Sequence, residues 1–212
     1  MTSIADLRRD YRERALLEAD ADADPLVLFR HWLDDAVRAE LADATAMTLA
    51  TASGDGTPDA RIVLLKDAGA DGFTFFTNYD SAKSAELSAN PRASLVFFWA
   101  ALERQIRIGG TVSRVAPDVS DAYFASRPFD SQYGAWASPQ SQVIADRASL
   151  EARMAEINTR FAGGPTPRPP HWGGYLVTPS WLEFWQGRPN RLHDRLRYRR
   201  DGVAWARERL AP

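Results

Sequence analysis

The sequence predicts a mainly β fold with flanking helices, arranged as an antiparallel barrel. Short apolar stretches separated by turn residues fill most of residues 45–115 and return from residue 175 onward. Few helical patterns lie between them, which favours antiparallel pairing over a doubly wound parallel sheet. Neither the glycine pattern of a dinucleotide-binding turn nor that of a P-loop occurs, so the main α/β alternatives lose their support.

The composition is that of one globular domain. The chain has 212 residues, 45% of them hydrophobic, and a net charge of -2, so it has no chain-wide basic surface for nucleic acid. It contains no cysteine, which removes disulfides and thiolate chemistry and fits a cytoplasmic protein. The longest apolar run, residues 95–102, is too short to cross a membrane, and residues 1–24 lack the apolar stretch of a signal peptide.

The amino-terminal part predicts an arm and then a helix. Residues 1–24 are highly charged and weakly patterned, so we expect an arm ahead of a single domain over residues 25–212. Asp24 is a good cap and Pro25 suits the first helical position. Apolar residues then recur at helical spacing, which predicts a helix over residues 25–41.

The elements that follow are predicted from local signals in chain order. The helix 81–89 ends before Asn90-Pro91, because a residue that precedes proline avoids helical angles. Gly109-Gly110 indicates a bulge or a close backbone approach within its strand. A polar loop, 127–142, separates two later helices. The predicted strands are 45–52, 60–67, 73–78, 93–100, 104–115, 175–178, 181–186, 193–199 and 204–210, and the later helices are 117–126 and 143–161.

The segment from Arg61 to Lys66 places cations at the two ends of an apolar strand. Strand alternation puts Ile62 and Leu64 on one face and Val63 on the other, so we expect a strand buried on both faces. Arg61 and Lys66 then fall on opposite faces unless a bulge intervenes. Each cation suits a phosphate, but from this segment alone two surface cations are the better interpretation.

The carboxy-terminal segment places Arg191, His193 and Arg195 on one face of a predicted strand. These groups repel one another unless an anion or an electron-rich ring lies among them. Trp185 lies just upstream and is a candidate aromatic wall. The alternative is an exposed, charged edge strand. Eight arginines between residues 188 and 209 also suggest an anionic partner, or else a solvated basic face.

A third group combines Arg127 and Ser131 of the polar loop with Tyr123 of the preceding helix. Guanidinium and hydroxyl donors together suit a phosphate, although each is common in loops. The chain has three histidines and shows neither paired metal ligands nor a Gly-x-Ser-x-Gly elbow, so we expect no metal site. A bound cofactor that supplies the chemistry would explain why the sequence offers so few catalytic groups.

In their order along the chain, these segments resemble the pyridoxamine 5'-phosphate oxidase family from about Leu7 to Pro212. The resemblance implies an FMN-binding split β-barrel that forms a homodimer with FMN at the subunit interface. The segments that carry it are Arg61–Lys66, Asn90–Ser94, Glu103–Gln105, Ser126–Pro128, Gly134–Ser138, Trp172–Gly174, Glu183–Gly187, Arg191–Arg195 and Arg209–Pro212.

The resemblance also implies roles for individual residues. Arg191 and His193 would flank the pyridine ring as catalytic residues, and Arg8 and Tyr11 would close over the substrate. The substrate phosphate would contact Lys66, Tyr123, Arg127 and Ser131. FMN would contact Arg61, Ile62, Val63, Leu64, Lys66, Phe76, Thr77, Lys83, Gln105, Gln140, Ser141, Trp185 and Arg195.

The implied reaction is the oxidation of pyridoxine 5'-phosphate or pyridoxamine 5'-phosphate to pyridoxal 5'-phosphate in vitamin B6 biosynthesis and salvage. Molecular oxygen would accept the electrons and give hydrogen peroxide, and the amine would also release ammonia. One departure is Ala82, where the family often has arginine, so we expect weaker FMN binding. The alternatives are another flavin or deazaflavin split-barrel enzyme, a pyridoxal phosphate carrier, a barrel that binds nucleic acid and a structural dimerisation module.

Overall fold

In the part of the chain that the structure describes, the strands form one antiparallel sheet of nine strands. The computed structural model describes residues 14–162 and 165–212, and Arg8 and Tyr11 lie outside these ranges. The strands follow the order β2-β1-β5-β6-β7-β4-β3, with β8 beside β7 and β9 beside β8. They are β1 Ala46–Ala52, β2 Pro58–Leu64, β3 Asp67–Gly69, β4 Gly72–Asn78, β5 Arg92–Trp99, β6 Arg104–Arg114, β7 Trp172–Gln186, β8 Asp194–Asp201 and β9 Ala204–Arg209.

Five α-helices flank the sheet among the described residues. Asp24 caps the first by accepting a hydrogen bond from the Leu26 backbone N–H at 2.8 Å, as the sequence predicts. No helix in residues 14–162 or 165–212 is long and apolar enough to cross a membrane. The helices are α1 Pro25–Arg38, α2 Ala82–Ala89, α3 Pro117–Ser126, α4 Phe129–Ala137 and α5 Arg147–Phe161.

β7 divides the sheet into two parts. On one side it pairs with β6 from Tyr175 to Gln186. On the other side its first half pairs with β4 and its second half with β8, so the sheet splits where these two neighbours diverge. The pairing shifts register between Gly109 and Gly110, which confirms the predicted bulge. A Cβ at Gly109 would lie 2.2 Å from the Trp181 indole nitrogen, so glycine allows that ring to cover the strand.

The core lies between α1 and the sheet. Phe29 of α1 has no exposed surface, and its ring meets the edges of Phe73 and Phe97 at centroid distances of 4.8 and 5.1 Å. Edge-to-face contacts of this kind add to the free energy gained from burying the rings. Trp32, one turn later, packs in the same way on Phe184 of β7. The apolar periodicity of α1 therefore marks the face that closes the barrel.

The segment ahead of α1 is fastened to the carboxy-terminal strands. Arg209 donates to both carboxylate oxygens of Glu18, at 2.6 and 2.8 Å, and to Asp194 at 2.9 Å. This pairing lowers the pKa of Glu18 to about 2. Leu16 is buried in the core, and the Tyr198 hydroxyl donates to the Asp22 carbonyl at 2.7 Å.

Several predicted boundaries were wrong. The polar loop 127–142 contains α4, whose weak apolar pattern hid it. The strands predicted at 175–178 and 181–186 are one strand, because Pro179 lies at the bulge, where a missing backbone donor is tolerated. The helix predicted from 143 begins at Arg147, and the one predicted to end at 41 ends at Arg38. The short strand β3 was not predicted.

Candidate functional site

A cavity of about 540 Å³ lies where β2, β4, α3 and α4 meet, and we call it the cationic cavity. It brings together residues that are more than 100 positions apart in the sequence. Its described lining includes four cations and no carboxylate. The lining residues are Arg61, Ile62, Val63, Leu64, Lys66, Phe76, Thr77, Asn78, Lys83, Tyr123, Arg127, Pro128, Ser131, Gln140 and Trp172.

The cationic cavity contains most of the residues singled out from the sequence. All four residues expected at the substrate phosphate line it. Of those expected at FMN, all but four line it. The four that do not are Gln105, Ser141, Trp185 and Arg195.

Arg127 has no carboxylate partner among the described residues of the cationic cavity. Its Nη1 atom is buried and finds no hydrogen-bond partner among the described residues. The guanidinium lies 4.7 Å above the Trp172 ring, and burial lowers the pKa of Arg127. A buried guanidinium nitrogen without an acceptor is costly, and an anion that accepts its hydrogen bonds would remove that cost.

Three nearly parallel rings form one wall of the cavity. Phe76 of β4 stacks on Tyr123 of α3 at 4.1 Å and on Trp172 of β7 at 5.4 Å. Gly174 makes room for this stack, because a Cβ there would lie 2.8 Å from the Phe76 ring. The stack holds Tyr123 rigidly, with Lys66 Nζ 6.0 Å from its ring centre.

At the other end of the cavity, Lys83 and Arg61 are held by neighbouring polar groups. Lys83 Nζ donates to Gln140 Oε1 at 2.9 Å, and Thr77 donates to the same oxygen at 3.1 Å. Burial, followed by the nearby charge of Arg61, lowers the pKa of Lys83. Arg61 donates to the Glu86 carboxylate at 3.0 Å and to the Thr51 hydroxyl. Both cations are therefore placed before any ligand binds.

The Arg61–Lys66 strand differs from its prediction. It is not buried on both faces, because Ile62 is 64% and Leu64 43% exposed. β2 also lies at the edge of the sheet, where it pairs only with β1. An apolar run of this kind suits a protein interface as well as a core, so the sequence pattern does not separate the two. Arg61 and Lys66 also line the same cavity, because the strand ends at Leu64 and the alternation ends with it.

Three of the predicted residues outside the cavity form one row across the sheet. Gln105 lies opposite Trp185, and Trp185 lies opposite Arg195, so the three side chains share a face. We call them the terminal row. Arg195 donates to the Glu183 carboxylate at 2.9 Å and to the Ala211 carbonyl at 2.8 Å. Its guanidinium is thereby fixed at both ends.

The prediction that Arg191, His193 and Arg195 share one strand face was wrong. β8 begins only at Asp194. Asn190 and Arg191 both have left-handed backbone angles, with φ of 57° and 61°, and this turn keeps the preceding residues out of the strand. His193 does lie against Trp185, at a ring distance of 4.6 Å, so the predicted aromatic wall is present.

Three residues of the cavity were not predicted, and one predicted residue, Ser141, does not line it. Asn78, Pro128 and Trp172 line the cavity without having been assigned a role. Trp172 lies in one of the segments that carry the family resemblance, and the two glycines that follow it are a signal of close packing. Ser141 follows Gln140 but is exposed and does not line the cavity. In residues 14–162 and 165–212, no group of three or more histidine, aspartate or glutamate side chains could hold a metal.

Two family models match most of the chain. Residues 33–161 match the model of pyridoxamine 5'-phosphate oxidase, and residues 172–212 match that of the pyridoxine 5'-phosphate oxidase C-terminal dimerisation region. The chain belongs to the pyridoxamine 5'-phosphate oxidase family. It is 60% identical to a pyridoxine/pyridoxamine 5'-phosphate oxidase of Thermosynechococcus vestitus, over all of both chains. It is 58% identical to one of Pseudomonas paraeruginosa, over 99% of each.

Solved structures confirm the split-barrel fold. PhzG from Burkholderia lata, in complex with tetrahydrophenazine-1-carboxylic acid, superposes with a TM-score of 0.89 at 33% identity, covering 94% of this chain and 99% of PhzG. An FMN-binding protein related to pyridoxamine 5'-phosphate oxidase, from Nostoc punctiforme, gives a TM-score of 0.72 at 18% identity, covering 91% of this chain and 100% of its own. The second likeness concerns the fold alone.

Proposed function

We propose that this chain is an FMN-dependent oxidase that converts pyridoxine 5'-phosphate or pyridoxamine 5'-phosphate to pyridoxal 5'-phosphate. The observation that carries the proposal is the unpartnered Arg127 in a cavity with four cations and no carboxylate among its described lining residues. Such a cavity suits two phosphate groups, one from the cofactor and one from the substrate. The names of the most similar relatives support the same reaction.

Two groups of residues in the cationic cavity would each bind one of the two phosphates. Arg61 and Lys83 lie beside Thr77 and Gln140 and would hold the phosphate and polar chain of FMN. At the other end, the substrate phosphate would be held by Lys66, Tyr123, Arg127 and Ser131. The donors present fit both groups, because each end offers at least one cation together with neutral hydrogen-bonding side chains.

The terminal row and the turn that carries Arg191 and His193 lie outside the cavity of their own chain. We propose that they complete the cavity of a second copy in a homodimer. The match of residues 172–212 to a dimerisation region supports this. So do exposed apolar side chains on the sheet, because Phe98, 57% exposed, lies directly opposite Gln105 of the terminal row.

Bound FMN would supply the redox chemistry, that is, the uptake of a hydride from C4' of the substrate and its transfer as two electrons and a proton to molecular oxygen to give hydrogen peroxide. The side chains bind and orient the substrate. Arg127 and Lys66 would fix its phosphate, the Phe76 ring stack closes one wall, and Arg191 and His193 of the second copy would approach the pyridine ring. With the amine substrate, hydrolysis of the imine product releases ammonia and leaves the aldehyde.

The test is an absorbance spectrum of the purified protein loaded with FMN, recorded before and after anaerobic addition of pyridoxine 5'-phosphate. We expect the flavin band to bleach and to return in air with one peroxide formed per turnover. A flavin band that persists with both phosphate substrates would overturn the proposed substrate. Bleaching by a phosphate-free ring acid of the kind bound by PhzG would then point to that class of substrate instead.

A further inference from the structure

The ring of His193 is held by a hydrogen bond whose direction is fixed. The backbone N–H of Arg188 donates to Nδ1 of His193 at 3.1 Å. A backbone N–H cannot accept, so Nδ1 must present its lone pair. A neutral imidazole carries one proton, and that proton therefore lies on Nε2.

The turn between the two residues maintains this contact. The Leu192 N–H donates to the Pro189 carbonyl at 3.2 Å, and the left-handed angles at Asn190 and Arg191 bring the chain back on itself. Arg188 is itself anchored, because its guanidinium donates to the Arg14 carbonyl at 3.2 Å. The donor to Nδ1 is therefore a backbone N–H whose position is set by the turn.

The surroundings also favour the neutral ring. Burial, followed by the nearby positive charge of Arg191, lowers the pKa of His193 below its usual value of 6.5. The adjacent carboxylate, Asp194, is already bound by Arg209 at 2.9 Å and by the Leu16 N–H at 3.1 Å. At neutral pH the ring is therefore uncharged, with one acceptor nitrogen occupied by backbone and one donor nitrogen.

We infer that His193 serves the reaction as a hydrogen-bond donor through Nε2 and not as the acceptor of a proton from the substrate. The role in the reaction rests on the proposed function, whereas the tautomer does not. A donor at this position selects a substrate group with a lone pair. Nε2 can donate to a C4' hydroxyl, a phenolate oxygen or an uncharged amine. An ammonium group has no lone pair and cannot accept this hydrogen bond.

The three histidines allow the tautomer to be read against internal standards. His171 bonds through Nε2 to the Ala135 carbonyl at 3.1 Å, so its Nε2 carries a proton. His31 bonds through Nδ1 to the Asp22 carboxylate at 3.0 Å, so its Nδ1 carries one. Protein labelled with ¹⁵N-histidine would give long-range ¹H–¹⁵N spectra at about pH 7.5. His193→Asn, His171→Asn and His31→Gln assign the signals.

We expect His193 to show a bare Nδ1 and a protonated Nε2, like His171 and unlike His31. A proton on Nδ1, or on both nitrogens, would overturn the inference. Because this spectrum needs neither FMN nor substrate, it decides the tautomer even if the flavin of the wild-type protein fails to bleach. That second failure would count against the proposed function alone.

A pair of variants tests the role in the reaction. Glutamine at position 193 places an amide N–H near the former Nε2, whereas asparagine ends near the former Nδ1. A donor role predicts that His193→Gln retains a KM for pyridoxine 5'-phosphate about tenfold lower than that of His193→Asn. Equal loss of kcat in both variants, with unchanged KM, would instead identify His193 as the proton acceptor and overturn the donor role.

Discussion

The arginines of the cationic cavity and those of the carboxy-terminal strands differ in how they are compensated. Arg127 has a buried Nη1 atom with no hydrogen-bond partner among the described residues. Arg195, in contrast, is bound by Glu183 at 2.8 Å, and Arg197 by Glu208 at 2.7 Å. The carboxy-terminal strands have the more basic sequence. Arg127, which has no carboxylate partner among the described residues, nevertheless lies in the cationic cavity. A missing carboxylate locates an anion site better than a surplus of arginines does.

The largest expected effect comes from removing the guanidinium of Arg127. Arg127→Met keeps the apolar stem on Trp172 and deletes the guanidinium. We expect kcat/KM for pyridoxine 5'-phosphate to fall about 100-fold, since charge-assisted hydrogen bonds to a phosphate are lost. The unfolding temperature of the protein without ligands should stay the same or rise, because a buried, unsatisfied group disappears.

Steady-state kinetics and thermal unfolding measure the two effects. Arg147→Met is the matched control, because Arg147 lies on α5 in an exposed ion pair with Glu151. It should leave kcat/KM unchanged. A clear loss of stability in Arg127→Met without a change in kcat/KM would mean that Arg127 is a structural residue, and the contrast between the two regions would fail.

The next effect concerns a compensated charge. The Glu183 side chain is only 5% exposed and binds Arg195 and, more weakly, Arg107 at 3.4 Å. Glu183→Gln leaves both guanidinium groups without their carboxylate, and we expect it to lower the free energy of unfolding by about 2 kcal/mol. Glu208→Gln breaks a pair whose carboxylate is 40% exposed and should cost less than about 1 kcal/mol.

Urea denaturation of the two variants makes this comparison directly. Equal costs would show that burial of Glu183 contributes nothing to holding Arg195. A larger cost for Glu208→Gln would reverse the assignment of the two pairs.

A third effect depends on pH. The pKa of Lys83 is lowered from 10.5, first by burial and then by Arg61. An anion binds the charged ammonium, so FMN affinity is present below the lowered pKa and is lost as the pH rises through it. We expect the dissociation constant of FMN, measured by flavin fluorescence, to rise about tenfold under alkaline conditions.

Lys83→Arg should remove this alkaline loss, because a guanidinium stays charged throughout the range. If the variant and the wild-type protein lose FMN at the same pH, another group controls the binding.

The smallest effect tests the departure from the family. Ala82 is the first residue of α2 and is exposed next to Lys83. Ala82→Arg adds a guanidinium near the proposed FMN phosphate, and we expect the dissociation constant of FMN to fall about fivefold. Ala85→Arg, also exposed on α2, is the control and should change it little. Equal constants in the wild-type protein and Ala82→Arg would contradict the expected role of position 82.

The sequence predicted the fold where local chemistry decides it. The Gly109-Gly110 bulge and the cap at Asp24 were both confirmed, because each follows from the residue at that position. The left-handed turn at Asn190 and Arg191 was missed, because neither residue is glycine, the usual signal of left-handed backbone angles. The same limit applies to the cationic cavity. Its residues are distant in sequence, and only the family resemblance grouped them before the structure did.

The connectivity of β7 has a consequence for how the chain folds. Phe75 of β4 lies opposite Tyr175 of β7, so one hundred residues separate two paired positions. At a synthesis rate of about 5–20 residues per second, β4 waits about 5–20 s on the ribosome for this partner. The hairpins β1–β2 and β5–β6 need no such delay. Folding during translation should therefore begin at these hairpins and finish only after β7 has emerged, which makes β4 the strand most in need of chaperone protection.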